Sequence, residues 1–237
     1  MAIQDEAKKR AAERAVEFVV DGQIVGLGTG STSHYAIEAL AQRVGEGLRI
    51  QGVATSEATA QQARALGITV LDLNEVSTVD LTIDGADEVD AAFNMIKGGG
   101  GALTREKLVA LASKKRVFIV DQTKLVKQLG DGWPLPVEVL PFSWQHARAR
   151  IAQLGCEPQL RMSGERPFET DNGNYILDCR FKGIAEPQRV EQCLKLTPGV
   201  VECGLFIGIA DVLVIGWPDR VEVRERPASA SPNEPIC

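Results

Sequence analysis

The segment Gly26-Leu27-Gly28-Thr29-Gly30-Ser31-Thr32-Ser33 alternates glycine with other residues and ends in three hydroxyl side chains. Glycine lets backbone N–H groups approach an anion closely. A helix that starts directly afterwards adds unpaired N–H groups and the positive end of its dipole. Ser31, Thr32 and Ser33 supply hydroxyl donors. Such a loop is suited to holding a phosphate. It does not fit a dinucleotide fingerprint, because the glycine spacing is GxGxG and the next strand ends in Val53-Ala54-Thr55 with no ribose-binding acid. No Gly-Lys-Ser/Thr follows, so it is not a Walker A loop either.

Two further segments carry charge. Asp84-Gly85-Ala86-Asp87-Glu88-Val89-Asp90 brings together acids that are not expected in a core. The same composition also suits a plain solvated loop. Clustered acids can hold Mg²⁺ or Ca²⁺, but an EF-hand needs Gly and Glu where this chain has Val89 and Met95. Next, Lys97 precedes Gly98, Gly99, Gly100 and Gly101. A glycine run is conformationally costly and makes sense where backbone must hug a ligand. Thr104 is placed to cap a helix, with Glu106 in its first turn. An acid there also complements the helix dipole without doing any chemistry. Lys124, in Asp121-Gln122-Thr123-Lys124, is expected at the same sheet edge. Together these loops suit a phosphorylated, polyhydroxylated small molecule. His34 and His146, the two histidines, both fall on expected helices, and neither is a favoured catalyst.

The elements that must position these loops follow from periodicity. Short apolar runs at Ile24–Leu27, Leu48–Val53, Thr69–Leu71, Leu81–Ile83 and Val117–Val120 read as strands. Gln4–Val20, Ser33–Val44, Ser56–Leu66 and Thr104–Ala112 read as helices. In Gln4–Val20 the buried face is expected at Ala11, Ala15, Phe18 and Val19. Strand–helix repetition of this kind implies a Rossmann-like parallel sheet with helices on both faces, and ligands at the carboxyl ends of its strands. From about Gly130 the order changes to strand Val137–Leu140, helix Trp144–Leu154, strand Gln159–Met162, strand Tyr175–Phe181, helix Pro187–Leu196 and strand Val200–Phe206. That is βαββαβ, the ferredoxin-like pattern, with Asn172–Gly173 as a hairpin turn signal. The fold class is therefore α/β, with a smaller α+β domain inserted. The expected boundaries are residues 1–129 and 208–237 for the Rossmann-like domain and 130–207 for the smaller one. Runs at Ile207–Ile215 and Arg220–Arg224 are placed to return to the first sheet. The Pro- and Ser-rich tail 226–237 reads as loose.

Composition limits the function classes. The chain has 237 residues, 44% hydrophobic and 24% charged, and a formal charge of -6, which disfavours a broad nucleic-acid surface. No apolar run approaches the ~20 residues of a membrane span, and the charged N-terminal segment has no apolar signal core. Five cysteines (Cys156, Cys179, Cys193, Cys203, Cys237) without CxxC spacing argue against a disulfide framework or a structural zinc site. A reducing cytoplasm is the expected location.

Four stretches, GLGTGSTS from Gly26, TIDGADEVD from Thr82, KGGGGALTREK from Lys97 and VDQTKLV from Val120, resemble ribose-5-phosphate isomerases of the A type. The resemblance runs through most of the chain, in order and spacing. It implies interconversion of D-ribose 5-phosphate and D-ribulose 5-phosphate in the pentose phosphate pathway, with no metal and no organic cofactor. It implies a substrate site lined by Thr29, Gly30, Ser31, Thr32, Asp84, Gly85, Ala86, Asp87, Lys97, Gly98, Gly99, Gly100 and Lys124, with Glu106 as proton acceptor. It also implies a homodimer. Lys97 is then a candidate for stabilising an enediolate, and Asp84 or Asp87 for assisting ring opening. Two alternatives compete. A sugar-phosphate sensor of a transcriptional regulator needs a DNA-binding segment, and the stretch before the first strand is too short for one. An amino-sugar phosphate isomerase-deaminase favours a well-placed histidine.

Overall fold

The computed structural model describes residues 3–226, so most of the tail, Cys237 included, lies outside them. The chain forms two compact units. One takes the residues up to Ala86, Arg105–Lys124 and those from Gly208 onward. The other takes Asp87–Thr104 and Leu125–Ile207.

The first unit is built on a seven-stranded sheet. Its spatial order is Val221–Glu225, Val212–Gly216, Ser113–Asp121, Val79–Gly85, Ile24–Leu27, Gln51–Ala54, Thr69–Leu71. Every neighbouring pair is parallel except Val221–Glu225, which returns antiparallel beside Val212–Gly216. The strands buried on both faces are continuously apolar, as in Val212–Gly216. The helices Ile3–Val16, Ser31–Gly45 and Glu57–Ala65 cover the sheet. Ala7, Ala11, Ala12 and Ala15 give the first helix a small-residue face. It packs so closely that a Cβ on Gly216 would sit 1.9 Å from the Ala7 carbonyl oxygen.

This helix ends at Val16, earlier than the expected Val20. The N–H groups of Phe18 and Val19 close a turn onto Ala15 and Val16, and the chain bends at Gly22 with φ +82° to enter the sheet. The strand expected from Leu48 begins at Gln51. Before it, Leu48 N–H returns to the Arg43 carbonyl and Arg49 N–H donates to Asp21, so neither is available for pairing.

In the second unit an antiparallel sheet is ordered Val200–Cys203, Leu135–Val139, Tyr175–Arg180, Glu157–Leu160. Helices Trp144–Ala152 and Pro187–Lys195 join its strands in βαββαβ order. Asn172–Gly173 lies in a tight turn, where Gly173 N–H donates to the Thr170 carbonyl at 2.9 Å. Met162, expected to end the strand Gln159–Met162, instead joins Ser163 in a short hairpin with Arg166–Pro167.

The last expected strand, Val200–Phe206, breaks at Gly204. A Cβ there would lie 2.2 Å from the Lys97 carbonyl oxygen, because the chain passes between Pro136 and Lys97. Gly204 N–H donates to Pro136 and its carbonyl accepts from Lys97 N–H. Beyond the break, Leu205–Phe206 pairs with Met95–Ile96, which pairs with Glu88–Val89. Residues 87–104 and 125–129, expected in the larger domain, thus pack with the smaller unit. Among the described residues no helix is long and apolar enough to cross a membrane.

Candidate active site

Parallel pairing brings the ends of Ile24–Leu27, Val79–Gly85 and Ser113–Asp121 to one edge of the first unit's sheet. The register sets Leu27 against Ile83 and Gly85 against Ile119. Asp84 is 1% exposed there. Its Oδ1 accepts from Gly85 N–H at 2.7 Å, Thr29 N–H at 3.2 Å and the Ser33 hydroxyl at 3.3 Å. One carboxylate oxygen therefore organises the whole turn into the helix Ser31–Gly45.

The glycines of this turn have separate physical reasons. Gly26 faces Thr82, and a Cβ would fall 1.7 Å from its Oγ1 and 2.7 Å from Val109 Cγ1. A Cβ on Gly28 would fall 2.1 Å from Asp84 Oδ1. Only Gly30, at φ +117° and ψ 176°, needs backbone freedom that other residues lack. It stands at the N-cap position with no side-chain cap, and the first helical bond runs from His34 N–H to its carbonyl. The N–H groups of Ser31, Thr32 and Ser33 therefore point out of the helix end, as anion binding requires.

Not every expected hydroxyl donor faces outward. Ser33 is buried and turned to Asp84. Thr29 Oγ1 lies 2.7 Å from Thr55 Oγ1, 2.8 Å from Ser56 Oγ and 3.1 Å from Thr59 Oγ1. That cluster ties the loop to the turn before Glu57–Ala65, so the Thr29 hydroxyl holds the loop in place, as its N–H does through Asp84. Ser31 is exposed and Thr32 half-buried. Beside them, Thr29, Gly30, Ser31, Tyr35 and Gln62 border a pocket of about 440 Å³.

Glu106 sits in the first turn of the helix Leu103–Leu111 and is 4% exposed. The helix rests on the sheet through Val109, which packs with Val53 and Val79. Arg105 pairs with Glu57 at 2.8 Å. The Glu106 carboxyl is thus withdrawn from water in a helix's first turn. Lys124 ends the single turn Gln122–Lys124 and is half-buried. Buried Asp121 holds that turn by accepting from Thr123 N–H at 2.9 Å.

Half-buried Ala86 ends the first stretch of the first unit, and the second unit carries Asp87, Lys97, Gly98, Gly99 and Gly100. Asp87 is half-buried, and its Oδ2 accepts from Gly99 N–H at 2.8 Å. Lys97 is 2% exposed, with its ammonium 5.4 Å from the centre of the Phe206 ring. Gly98 has φ +101°, and Gly101 N–H closes a turn onto its carbonyl at 3.0 Å. Gly99 and Gly100 are exposed.

The acidic segment divides into different jobs. Glu88, expected outside the core, is 3% exposed and accepts from the N–H groups of Gly130, Gly132 and Trp133. Asp90 takes Ala92 and Asn94 N–H in a local turn. Among the described residues, the grouping close enough to share an ion is Glu191, Glu202 and Cys203, away from this segment in the chain. His34 and His146 are both exposed on helices.

Sequence reasoning missed two polar centres. Glu138 is fully buried and accepts from Thr170 Oγ1 at 2.9 Å, Asn174 Nδ2 at 2.9 Å, Asn172 Nδ2 at 3.2 Å and the Thr104 hydroxyl. Arg161 pairs with Asp178. The one available signal was a carboxylate in the otherwise apolar strand Leu135–Val139.

Residues 51–220 match the family described as Ribose 5-phosphate isomerase A (phosphoriboisomerase A). A curated relative from Gloeobacter violaceus, named Ribose-5-phosphate isomerase A, is 54% identical over 220 residues, covering 92% of this chain and 96% of its own. Another, Ribose-5-phosphate isomerase A 1 from Oceanobacillus iheyensis, is 49% identical over 93% of this chain and 99% of its own. A solved D-ribose-5-phosphate isomerase in complex with phospho-erythronic acid superposes with TM-score 0.92 at 38% identity, covering 94% of this chain and 99% of that one. Ribose 5 phosphate isomerase A from Neisseria gonorrhoeae superposes with TM-score 0.88 at 41% identity, covering 94% and 98%.

Proposed function

This chain belongs to the ribose 5-phosphate isomerase A family, and we propose that it interconverts D-ribose 5-phosphate and D-ribulose 5-phosphate through an enediolate formed by Glu106. The observation that carries the assignment of the base is the buried carboxyl of Glu106 in a helix's first turn.

The reaction moves one proton between adjacent carbons. The Glu106 carboxylate takes the proton from C2 of the open-chain aldose, and the C–H electrons form the enediolate double bond as C1=O becomes an oxyanion. The hydroxyl proton on the C2 oxygen passes to the C1 oxyanion, the same carboxyl returns the carbon-bound proton to C1, and the C2 oxygen becomes the ketone. A carboxylate suits this shuttle because its two oxygens span neighbouring atoms. Lys97 and the N–H groups of the glycine loop neutralise the developing oxyanion. The N–H groups at Gly30, Ser31 and Thr32, with the hydroxyls of Ser31 and Thr32, anchor the phosphate, and Lys124 adds positive charge. Binding energy from the phosphate end positions the reacting carbons.

Ring opening needs an acid–base partner. Asp84 is committed through Oδ1 to its own loop. Asp87 is the more exposed of the two and fits the role better.

In an assay of ribulose 5-phosphate formation, Glu106→Gln lowers turnover by about 10²-fold or more with the Michaelis constant little changed. Near-normal turnover removes Glu106 from the role.

The protein acts as a cytoplasmic homodimer. Fully exposed Phe142, with Leu140 and Leu196 also exposed, gives the smaller unit apolar surface that a second copy would cover. The four described cysteines are free thiols, in keeping with a reducing compartment. A monomer mass in sedimentation equilibrium, or recovery outside the cytoplasmic fraction, contradicts these two assignments.

A further inference from the structure

The glycine run after Lys97 has no side chains with which to hold itself. The smaller unit supplies the hold from a distant strand end. One terminal nitrogen of Arg161, Nη1, donates to the carbonyls of both Gly98 and Gly99 at 3.0 Å. The rest of the guanidinium is fixed from behind. Nε donates to Asp178 Oδ2 at 2.9 Å and Nη2 to Oδ1 at 2.6 Å, a two-point fork that prevents the group from rotating. The Phe168 ring lies 5.7 Å from Arg161 Cζ. The same ring borders the end of the run, since a Cβ on Gly101 would come within 2.5 Å of it. The Arg161 side chain is only 15% exposed.

Peptide planarity turns this clamp into a statement about donors. In a trans peptide the C=O and the following N–H point in opposite directions. Drawing the Gly98 and Gly99 carbonyls toward one guanidinium nitrogen therefore turns the N–H groups of Gly99 and Gly100 to the other side. The Gly99 N–H is found as this predicts, donating to Asp87 Oδ2 at 2.8 Å. The Gly100 N–H, on an exposed residue, is turned away from the guanidinium by the same rule.

We propose that Arg161, anchored by Asp178, is a positioning residue for the isomerisation: it sets the Gly98–Gly100 peptide planes so that Gly99 N–H orients Asp87 and Gly100 N–H is aimed at a substrate oxygen. This gives the smaller unit a catalytic purpose. The inference rests on the reading of Asp87 and the glycine run as substrate contacts. A donor that is pre-aimed pays no reorganisation cost when charge develops. Lysine replaces the fork only in part, because a point charge can donate to a carbonyl but cannot hold the carbonyls and the carboxylate in one plane.

The test compares purified full-length Arg161→Gln, Arg161→Lys, Asp178→Asn and Glu106→Gln with the parent, measuring kcat and KM for ribose 5-phosphate, the pH profile and thermal unfolding. Arg161→Gln is expected to lower kcat by about ten- to a hundredfold with KM within about threefold. The pH profile keeps its shape, because no titrating catalyst is removed. Arg161→Lys recovers part of the loss, and Asp178→Asn reproduces a smaller version of it. A folded Arg161→Gln protein with kcat within twofold of the parent overturns the proposal. So does a loss of activity that tracks only the folded fraction. If Arg161→Gln does not fold, Arg161→Lys and Asp178→Asn decide by the same kcat criterion. If Glu106→Gln instead retains normal turnover, the reading of the site itself has failed.

Discussion

The turn that follows Leu27 and the turn that follows Ile96 are both rich in glycine, yet the groups that hold them come from different distances. The first is framed by the neighbouring strand: Thr82 and Asp84 occupy the space of a side chain at Gly26 and Gly28, and Asp84 also accepts from the N–H groups of Thr29 and Gly85. The second is fixed by long polar side chains, Arg161 on the Gly98 and Gly99 carbonyls and Glu138 on the Thr104 hydroxyl. A parallel sheet dictates the spacing of its own strand ends, so a turn between them can be held at close range by small residues and one carboxylate. A turn that leaves the sheet has no such frame and must import one. Crowding resists deformation at short range but has little tolerance for added atoms. A polar frame tolerates changes of shape but fails when a donor or acceptor is lost.

Removing the polar frame has the largest expected effect. Glu138→Ala leaves the side chains of Thr170, Asn172, Asn174 and Thr104 without their shared acceptor in a largely buried place. Each orphaned donor costs about 1–3 kcal/mol, and a total of about 3–5 kcal/mol follows because some will find new partners. Denaturant unfolding measures it. A loss of less than ~1 kcal/mol means that the frame is not polar in origin, and the contrast between the two turns disappears.

Adding one carbon to the crowded turn comes next. In Gly28→Ala the new Cβ meets Asp84 Oδ1 at 2.1 Å and its Cα at 2.6 Å, so backbone has to move. Overpacking of this kind costs about 1–3 kcal/mol. Displacement of Asp84, and of the loop it organises, lowers kcat/KM by about 10²-fold. Steady-state kinetics beside an unfolding curve separates the two effects. An alanine variant with parent kinetics shows that the turn is held by something other than closeness.

The same contrast explains what the sequence disclosed. The first turn was legible because its glycines, hydroxyls and acid stand next to strands whose apolar runs are unmistakable, and parallel pairing does the rest. What local reading misjudged was which atoms face outward. Thr29 and Ser33 turn their hydroxyls inward because Thr55, Ser56, Thr59 and Asp84 lie on other elements. The second turn was legible as composition only. Its frame comes from Glu138 and Arg161, which are 34 residues beyond Thr104 and 63 beyond Gly98. Nothing local to Arg161 distinguishes it from a surface arginine. The short strands Glu88–Val89 and Met95–Ile96 escaped notice for a similar reason. Two residues carry no periodicity, and Leu205–Phe206, the outer partner of Met95–Ile96, is set apart only by the break at Gly204.

Asp80 and Asp84 share one strand, four residues apart, and bracket the strand Ile24–Leu27 beside it. Asp80 accepts from Ile24 N–H at 2.9 Å, where that strand starts, and Asp84 from Thr29 N–H at 3.2 Å, just past its end. The two carboxylates therefore do comparable local work at opposite edges of the sheet, but only the buried one stands among candidate catalytic residues. The Lys114 ammonium, 2.8 Å away, and secondarily the Ile24 N–H hold the Asp80 carboxyl below its ordinary value. A carboxyl whose folded pKa lies below its unfolded one contributes stability that is present above about pH 4 and lost as pH falls through the folded pKa. Lys114 is 63% exposed, so the pair is largely screened. Asp80→Asn keeps an acceptor for Ile24 and loses only the ion pair, which costs about 0.5 kcal/mol at neutral pH. That difference should shrink toward zero as pH falls below about 4 and through the lowered folded pKa, while kcat stays at the parent value. Denaturant titrations at neutral and acid pH, run with a turnover assay, check both halves. A deficit that persists in acid refutes the ion-pair account, and a fall in kcat shows that the amino-terminal edge of the sheet reaches the chemistry after all.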